Sequence, residues 1–86
     1  MELRLRGALS SDSLDAWIAH RARLLDLRGW IEGRSAEAAN VIVAGPKEMI
    51  EAMEVCCSLG PADVLIDGVT RHDRALAAMP VGFTVP

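Results

Sequence analysis

Residues 38–61 read AANVIVAGPKEMIEAMEVCCSLGP, and this stretch decides the fold. Ala38 to Ala44 is the longest apolar run, with one Asn inside. Its centre, Val41-Ile42-Val43, has the β-branched character of a buried strand. Gly45-Pro46 then breaks the run. Proline suits a first helical position because its missing N–H would be unbonded there anyway. Met49, Ile50, Met53, Cys56 and Cys57 recur at helical spacing and give one apolar stripe. Gly60-Pro61 closes the helix, glycine supplying a left-handed cap and proline barring continuation.

Working outward, Glu2 to Arg6 alternates polar and apolar with Leu3 and Leu5 on one side, the period of a half-buried strand that Gly7 ends. Residues 8–13, ALSSDS, are turn and cap formers. Leu14, Trp17, Ile18, Ala22 and Leu25 form a second helical stripe, from about Asp12 to Asp26. Gly29-Trp30-Ile31 reads as a short strand and residues 32–37 as a loop. Beyond Pro61, Val64, Ile66 and Val69 mark another strand, residues 70–79 a polar then alanine-rich connection, and Val81, Phe83 and Val85 a last short strand. The order is strand, helix, strand, strand, helix, strand, with a short terminal strand. It predicts an α+β, ferredoxin-like βαββαβ two-layer sandwich, both helices on one face of an antiparallel sheet, in one domain over residues 1–86.

Hydrophobic residues make up 51% and charged residues 24% of the 86, the balance of a globular chain. The net charge of −3 and the 3% aromatic content disfavour a nucleic-acid partner, which needs a basic face and stacking rings. No apolar stretch follows the charges of MELRLR, so no signal peptide is expected, and no run is long enough to span a membrane. Cys56 and Cys57, as neighbours, imply no disulfide framework and read as reduced thiols in a cytoplasmic protein. Two cysteines and two distant histidines are too few ligands for a metal centre, and no cofactor is expected.

The phrase AWIAHRARLLDLRGW at 16–30 resembles the first helix and following strand of bacterial acylphosphatases, which end in a similar "lGLrGWV". VIVAGP at 41–46 and SLGPADVLID at 58–67 resemble two further phrases of that family, and the register needs no gap from about Arg4 to Val69. Gly7, Ala16, Ala22, Leu27, Gly29, Trp30, Gly45, Pro46, Gly60, Pro61 and Asp67 match its scaffold. The resemblance implies metal-free hydrolysis of acyl phosphates by two places in the fold. One is a V-Q-G-V-G-F-R loop whose backbone N–H groups and arginine hold a phosphoryl group at a helix N-terminus, where unbonded N–H groups and the helix dipole favour an anion. The other is an asparagine after the GWV strand that orients the attacking water.

Here the loop reads Leu9-Ser10-Ser11-Asp12-Ser13-Leu14-Asp15. The arginine position is Asp15, the asparagine position is Gly33, and Ser11 and Ser13 replace both loop glycines. No catalytic residue matches, and Asp12 and Asp15 disfavour a phosphate-type ligand. The expectation is a catalytically degenerate domain acting through binding or assembly, with an unidentified protein or a second copy as partner. Two alternatives stand beside it: an active acylphosphatase with relocated groups, Arg34 and the loop amides, or a small-molecule or RNA-binding ferredoxin-like module. Ser10, Ser11, Asp12, Ser13 and Asp15 read as a vestigial ligand or cation loop or, more plainly, as a helix cap, with Asp15 near the third helical position as in a capping box. Arg34 reads as a solvated loop residue or as a guanidinium able to swing into the loop. Trp17 and Trp30 read as core, and His20 and His72 as surface residues without a partner for general-base work.

Overall fold

The apolar alternation of the strands and the two helical stripes fit together in the computed structural model, which describes residues 1–76, 78 and 81–85. The elements are β1 (Glu2–Ala8), α1 (Ser13–Leu24), β2 (Arg28–Glu32), β3 (Ala38–Ala44), α2 (Lys47–Leu59), β4 (Leu65–His72) and β5 (Phe83–Thr84). The sheet order is β4-β1-β3-β2-β5. Every pairing is antiparallel except the parallel contact of β5 with β2. This is the ferredoxin-like α+β sandwich with a short added C-terminal strand.

Alternation sorts the two faces of the sheet. Leu3 and Leu5 of β1, Ile31 of β2, and Ala39, Val41 and Val43 of β3 pack with Leu14, Ile18, Ala19 and Ala22 of α1 and with Ile50, Met53 and Cys57 of α2. Leu3 lies opposite Val41, and Leu5 opposite Ala39, so β1 and β3 deliver their apolar residues to the same side. Burial of the Cys57 thiol, then its neighbours Cys56 and Glu54, pushes its pKa up to about 12. The other face carries Glu2, Arg4, Trp30, Glu32 and Ile42. Trp30 belongs here and not to the core expected of it. Its indole N–H donates to Glu32 Oε1 at 2.8 Å, and the Arg74 guanidinium lies 5.9 Å from its ring centre. Trp17 does pack, half-buried, against the core.

Several element boundaries differ from the sequence reading: β1 runs past Gly7 to Ala8, α1 is shorter at both ends, and Glu32 is the last residue of β2 and not the first of the loop. Thr70, Arg71 and His72 are strand and not connection, because β1 is long enough to pair them with Arg4, Leu3 and Glu2. Residues 77 and 79 of that expected connection lie outside the described residues. The last strand shrinks to Phe83–Thr84, leaving Val81 94% exposed while Phe83 is buried. Its anchor is Arg23 of α1, whose Nη2 donates to the Phe83 carbonyl at 2.8 Å. Pro46 is the N-cap of α2 in extended conformation, not its first helical residue, and its carbonyl accepts from Met49 and Ile50 at 3.0 and 3.1 Å.

Gly29 shows how closely the strands approach. Its φ is +150°, and a Cβ built on it would sit 1.7 Å from the Ile42 carbonyl oxygen. Gly29→Ala should therefore separate β2 from β3 and cost about 3 kcal/mol, from backbone strain plus overpacking, measured as a drop in denaturation midpoint. The Cys57 thiol, roughly one part in ten thousand ionised at pH 8, should resist alkylation. Native protein should take up no label at Cys57, and both cysteines should react once the chain is unfolded.

Candidate functional site

The loop between β1 and α1 is set down by the sheet. Gly7 N–H donates to the Glu37 carbonyl at 3.1 Å and Leu9 N–H to the Ala36 carbonyl at 2.7 Å, so the loop between β2 and β3 flanks it on one side. Leu9 is fully buried and anchors the turn, while Ser10 and Asp12 are exposed. On its other side stands the turn after α2, which carries Asp63.

Ser11 and Ser13 do not cap α1 as expected. The N-cap is Asp12, with helical backbone angles and no side-chain capping bond. The serine hydroxyls, 2.9 Å apart, turn to Asp63, while Ser11 Oγ also accepts from the Ser13 N–H at 3.3 Å. Ser11 Oγ donates to Asp63 Oδ2 at 2.5 Å, and Ser13 Oγ lies 2.9 and 3.0 Å from Oδ1 and Oδ2. The bonds from Ser11 and then Ser13 hold the Asp63 carboxyl below its ordinary range, because they favour the charged form. Asp63 was missed in the sequence. Nothing local marks a contact made 50 and 52 residues away.

Asp15 is the third residue of α1, as the capping-box reading has it, but its carboxylate does not reach back to the N-cap. It accepts from Arg34 Nε at 2.7 Å. Arg34 is thus not a solvated loop arginine. Its side chain is only 20% exposed; Nη2 donates to the Ser11 carbonyl at 3.1 Å and Nη1 to the Ser35 carbonyl. One guanidinium therefore ties its own loop to the β1–α1 loop and the start of α1, in the fork geometry that arginine alone offers.

Gly33, just before it, sits in the left-handed region at φ +59°, beside the Asn40 amide of β3. It offers no side-chain donor. Leu9, Ser10, Asp12, Asp15, Arg34 and Ala36 line a pocket of about 410 Å³. Two carboxylates and one guanidinium leave it net negative. Among the described residues no group of three or more His, Cys, Asp or Glu side chains could hold a metal ion. His20 lies exposed on α1, and His72 ends β4 with its ring 2.9 Å from the Thr70 hydroxyl, so neither joins the loop.

The Asp63 clasp has a pH signature. A carboxyl held below its unfolded value contributes stability above that value, near pH 4, and loses it as pH falls through the folded one. Asp63→Asn should therefore lower stability at pH 7 and flatten the fall in stability below about pH 4, read by thermal melts across pH.

No family model matches the chain. Its curated relatives are nonetheless consistent. It is 30% identical over 88 aligned positions to an acylphosphatase of Azorhizobium caulinodans, covering 99% of this chain and 91% of that protein. It is 28% identical to one of Rhodospirillum rubrum, covering 95% and 89%. Among solved structures it resembles the acylphosphatase of Coxiella burnetii, with a TM-score of 0.89 and 16% identity over 99% of this chain and 88% of that one. It also resembles that of Bacillus subtilis, with a TM-score of 0.85 and 14% identity over 99% and 94%. The fold, the register of the matched phrases and a relative of this identity along almost its whole length place the chain in the acylphosphatase family.

Proposed function

We propose that this chain is a catalytically degenerate member of the acylphosphatase family that acts through binding or assembly. The observation that carries the reading is the Asp15–Arg34 ion pair at the position where the family resemblance sets an arginine. A carboxylate about 4 Å from a phosphate charge opposes it by roughly 4 kcal/mol at an effective dielectric of 20. The helix dipole, worth on the order of 0.3–1 kcal/mol per nearby charge, does not reverse that. Asp12, on the same pocket wall, adds a second negative charge. Arg34 has its three nitrogens committed to Asp15, Ser11 and Ser35. Gly33 supplies no side-chain amide to orient a water.

Within this reading the partner is an unidentified protein or a second copy of the chain. Strand β4 ends the sheet on one side, and an edge strand's outer N–H and C=O groups are what an incoming strand pairs with. Two free cysteines support a cytoplasmic location.

A second reading, an active acylphosphatase with a relocated guanidinium, is favoured by one observation: Arg34 does lie in the loop. Acetyl phosphate hydrolysis separates the two. Wild type should release phosphate at the uncatalysed rate, and Arg34→Ala should leave that rate unchanged. Losing one preorganised donor costs an enzyme about a hundred- to a thousandfold. Turnover above background that fell by that factor in Arg34→Ala would replace the first reading with the second.

A further inference from the structure

We infer that the free edge of β4 takes an extended acidic segment of another protein, whose carboxylates meet Arg6 across Gly68. The inference rests on the proposed reading that the chain acts through binding, and it names the chemistry of the partner.

Charge is unevenly spread over the sheet. The face away from the helices carries Arg4, Arg6, Arg28 and Arg74 against Glu2 and Glu32, a cationic surplus in a chain of net charge −3. Glu2 is paired with Arg4 and Arg74, and Glu32 with Arg74. Arg6 is exposed, and its side chain enters no hydrogen bond or ion pair among the described residues.

Gly68 of β4 stands opposite Arg6. A Cβ built on Gly68 would meet nothing within 4 Å, and β4 is the last strand of the sheet on that side. At this level β4 puts no side chain between the Arg6 guanidinium and the edge. An added strand would lie about 4.8 Å beyond β4 and so about 10 Å from β1, a gap that an arginine and a glutamate reaching toward each other span. The bulge at Asp67 interrupts the ladder, so the regular stretch open to a partner is Gly68 to His72. Side chains of an added strand alternate between the two faces. Every second one joins Arg6, Thr70 and His72 on the cationic face. The others fall beside Val69 and Arg71 on the helix side, where Glu54 already meets Arg71 at 3.6 Å. The fitting segment therefore has acids at alternate positions and uncharged residues between them.

A second copy of the chain does not match this edge. Its own β4 sets Gly68, Thr70 and His72 on that face, and its Asp67 lies in the bulge, so no carboxylate is aligned with Arg6. RNA would need an open ring to stack on, whereas Trp30 is bonded to Glu32 and lies under Arg74.

The probe is a fluorescein-labelled peptide of four Glu-Thr repeats, titrated with the full chain by anisotropy at low and at physiological salt. Wild type should bind it, more weakly as salt rises. Arg6→Glu should bind it about tenfold or more weakly and take up the matching Lys-Thr peptide instead, a swap that mere loss of stability does not produce. Gly68→Ile, which has room for its side chain, should keep the fold and block the Glu-Thr peptide by standing between Arg6 and the edge. Melting curves check both variants, and Arg6→Gln carries the same loss of binding if the charge reversal unfolds the chain. Glu-Thr binding that survives the changes at positions 6 and 68 overturns the inference. So does tighter binding of an oligouridylate than of the peptide, or a dimer that Gly68→Ile dissociates in a chain that ignores the peptide. Acetyl phosphate turnover by the wild type would sink the non-catalytic reading by a different measurement, whereas absent peptide binding by a chain without turnover sinks only the acidic partner.

Discussion

One sheet face must be buried against two helices, and β1 stands at the centre of that requirement. It pairs with β3 on one side and β4 on the other, so Leu3 and Leu5 sit under both helices. A shift of one residue would turn Arg4 and Arg6 into the core, which ties the register of the whole sheet to the alternation of one short strand. The same register decides where β1 ends. Gly7 and Leu9 leave the sheet bonded to Glu37 and Ala36, which lays the following loop against the turn that carries Arg34. The site is thus a consequence of core packing before it is a matter of chemistry.

On that platform the loop is held from both flanks by side chains that do not cap the helix. Asp63 draws in Ser11 and Ser13 from one side, and Arg34 draws in Asp15 and the Ser11 carbonyl from the other. The two clasps share Ser11, whose hydroxyl faces one and whose carbonyl faces the other. A loop that in the family resemblance is glycine-rich and open to an anion is here serine-rich, acidic and satisfied by its own chain. The electrostatics follow the sequence directly: with Asp15 where the resemblance sets an arginine, the Arg34 guanidinium is the partner of that carboxylate.

The face of the sheet away from the helices solves a different problem. Glu2 is buried there at 7% exposure, and Arg4 and then Arg74 hold its carboxyl below the ordinary range. Arg74 also meets Glu32 at 3.1 Å and lies over Trp30. A residue that follows β4 in the chain thereby screens the middle of that face, and a half-buried tryptophan is stabilised by charge as well as by area.

Most of the fold was legible in the residues themselves. The run from Ala38 to Gly60 marked β3 and α2 to within a residue, because β-branched character, helical spacing and glycine–proline breaks are local signals. The alternation of Glu2 to Arg6 marked β1, and the resemblance alone set Ser11, Ser13, Asp15 and Gly33 at the family's site positions. What those residues do was decided only by the tertiary structure. The serines at the start of α1 promise a cap by every local rule, yet both hydroxyls turn to a carboxylate brought from residue 63, and only Ser11 Oγ also accepts from the helix start, at the Ser13 N–H. Arg34 looks like any loop arginine until the β2–β3 turn is laid beside the β1–α1 loop. Trp30 has the composition of a core residue, but strand parity turns it to the other face. Local propensity sets elements, whereas hydrogen bonds and ion pairs between distant loops depend on distances that exist only once the sheet has closed.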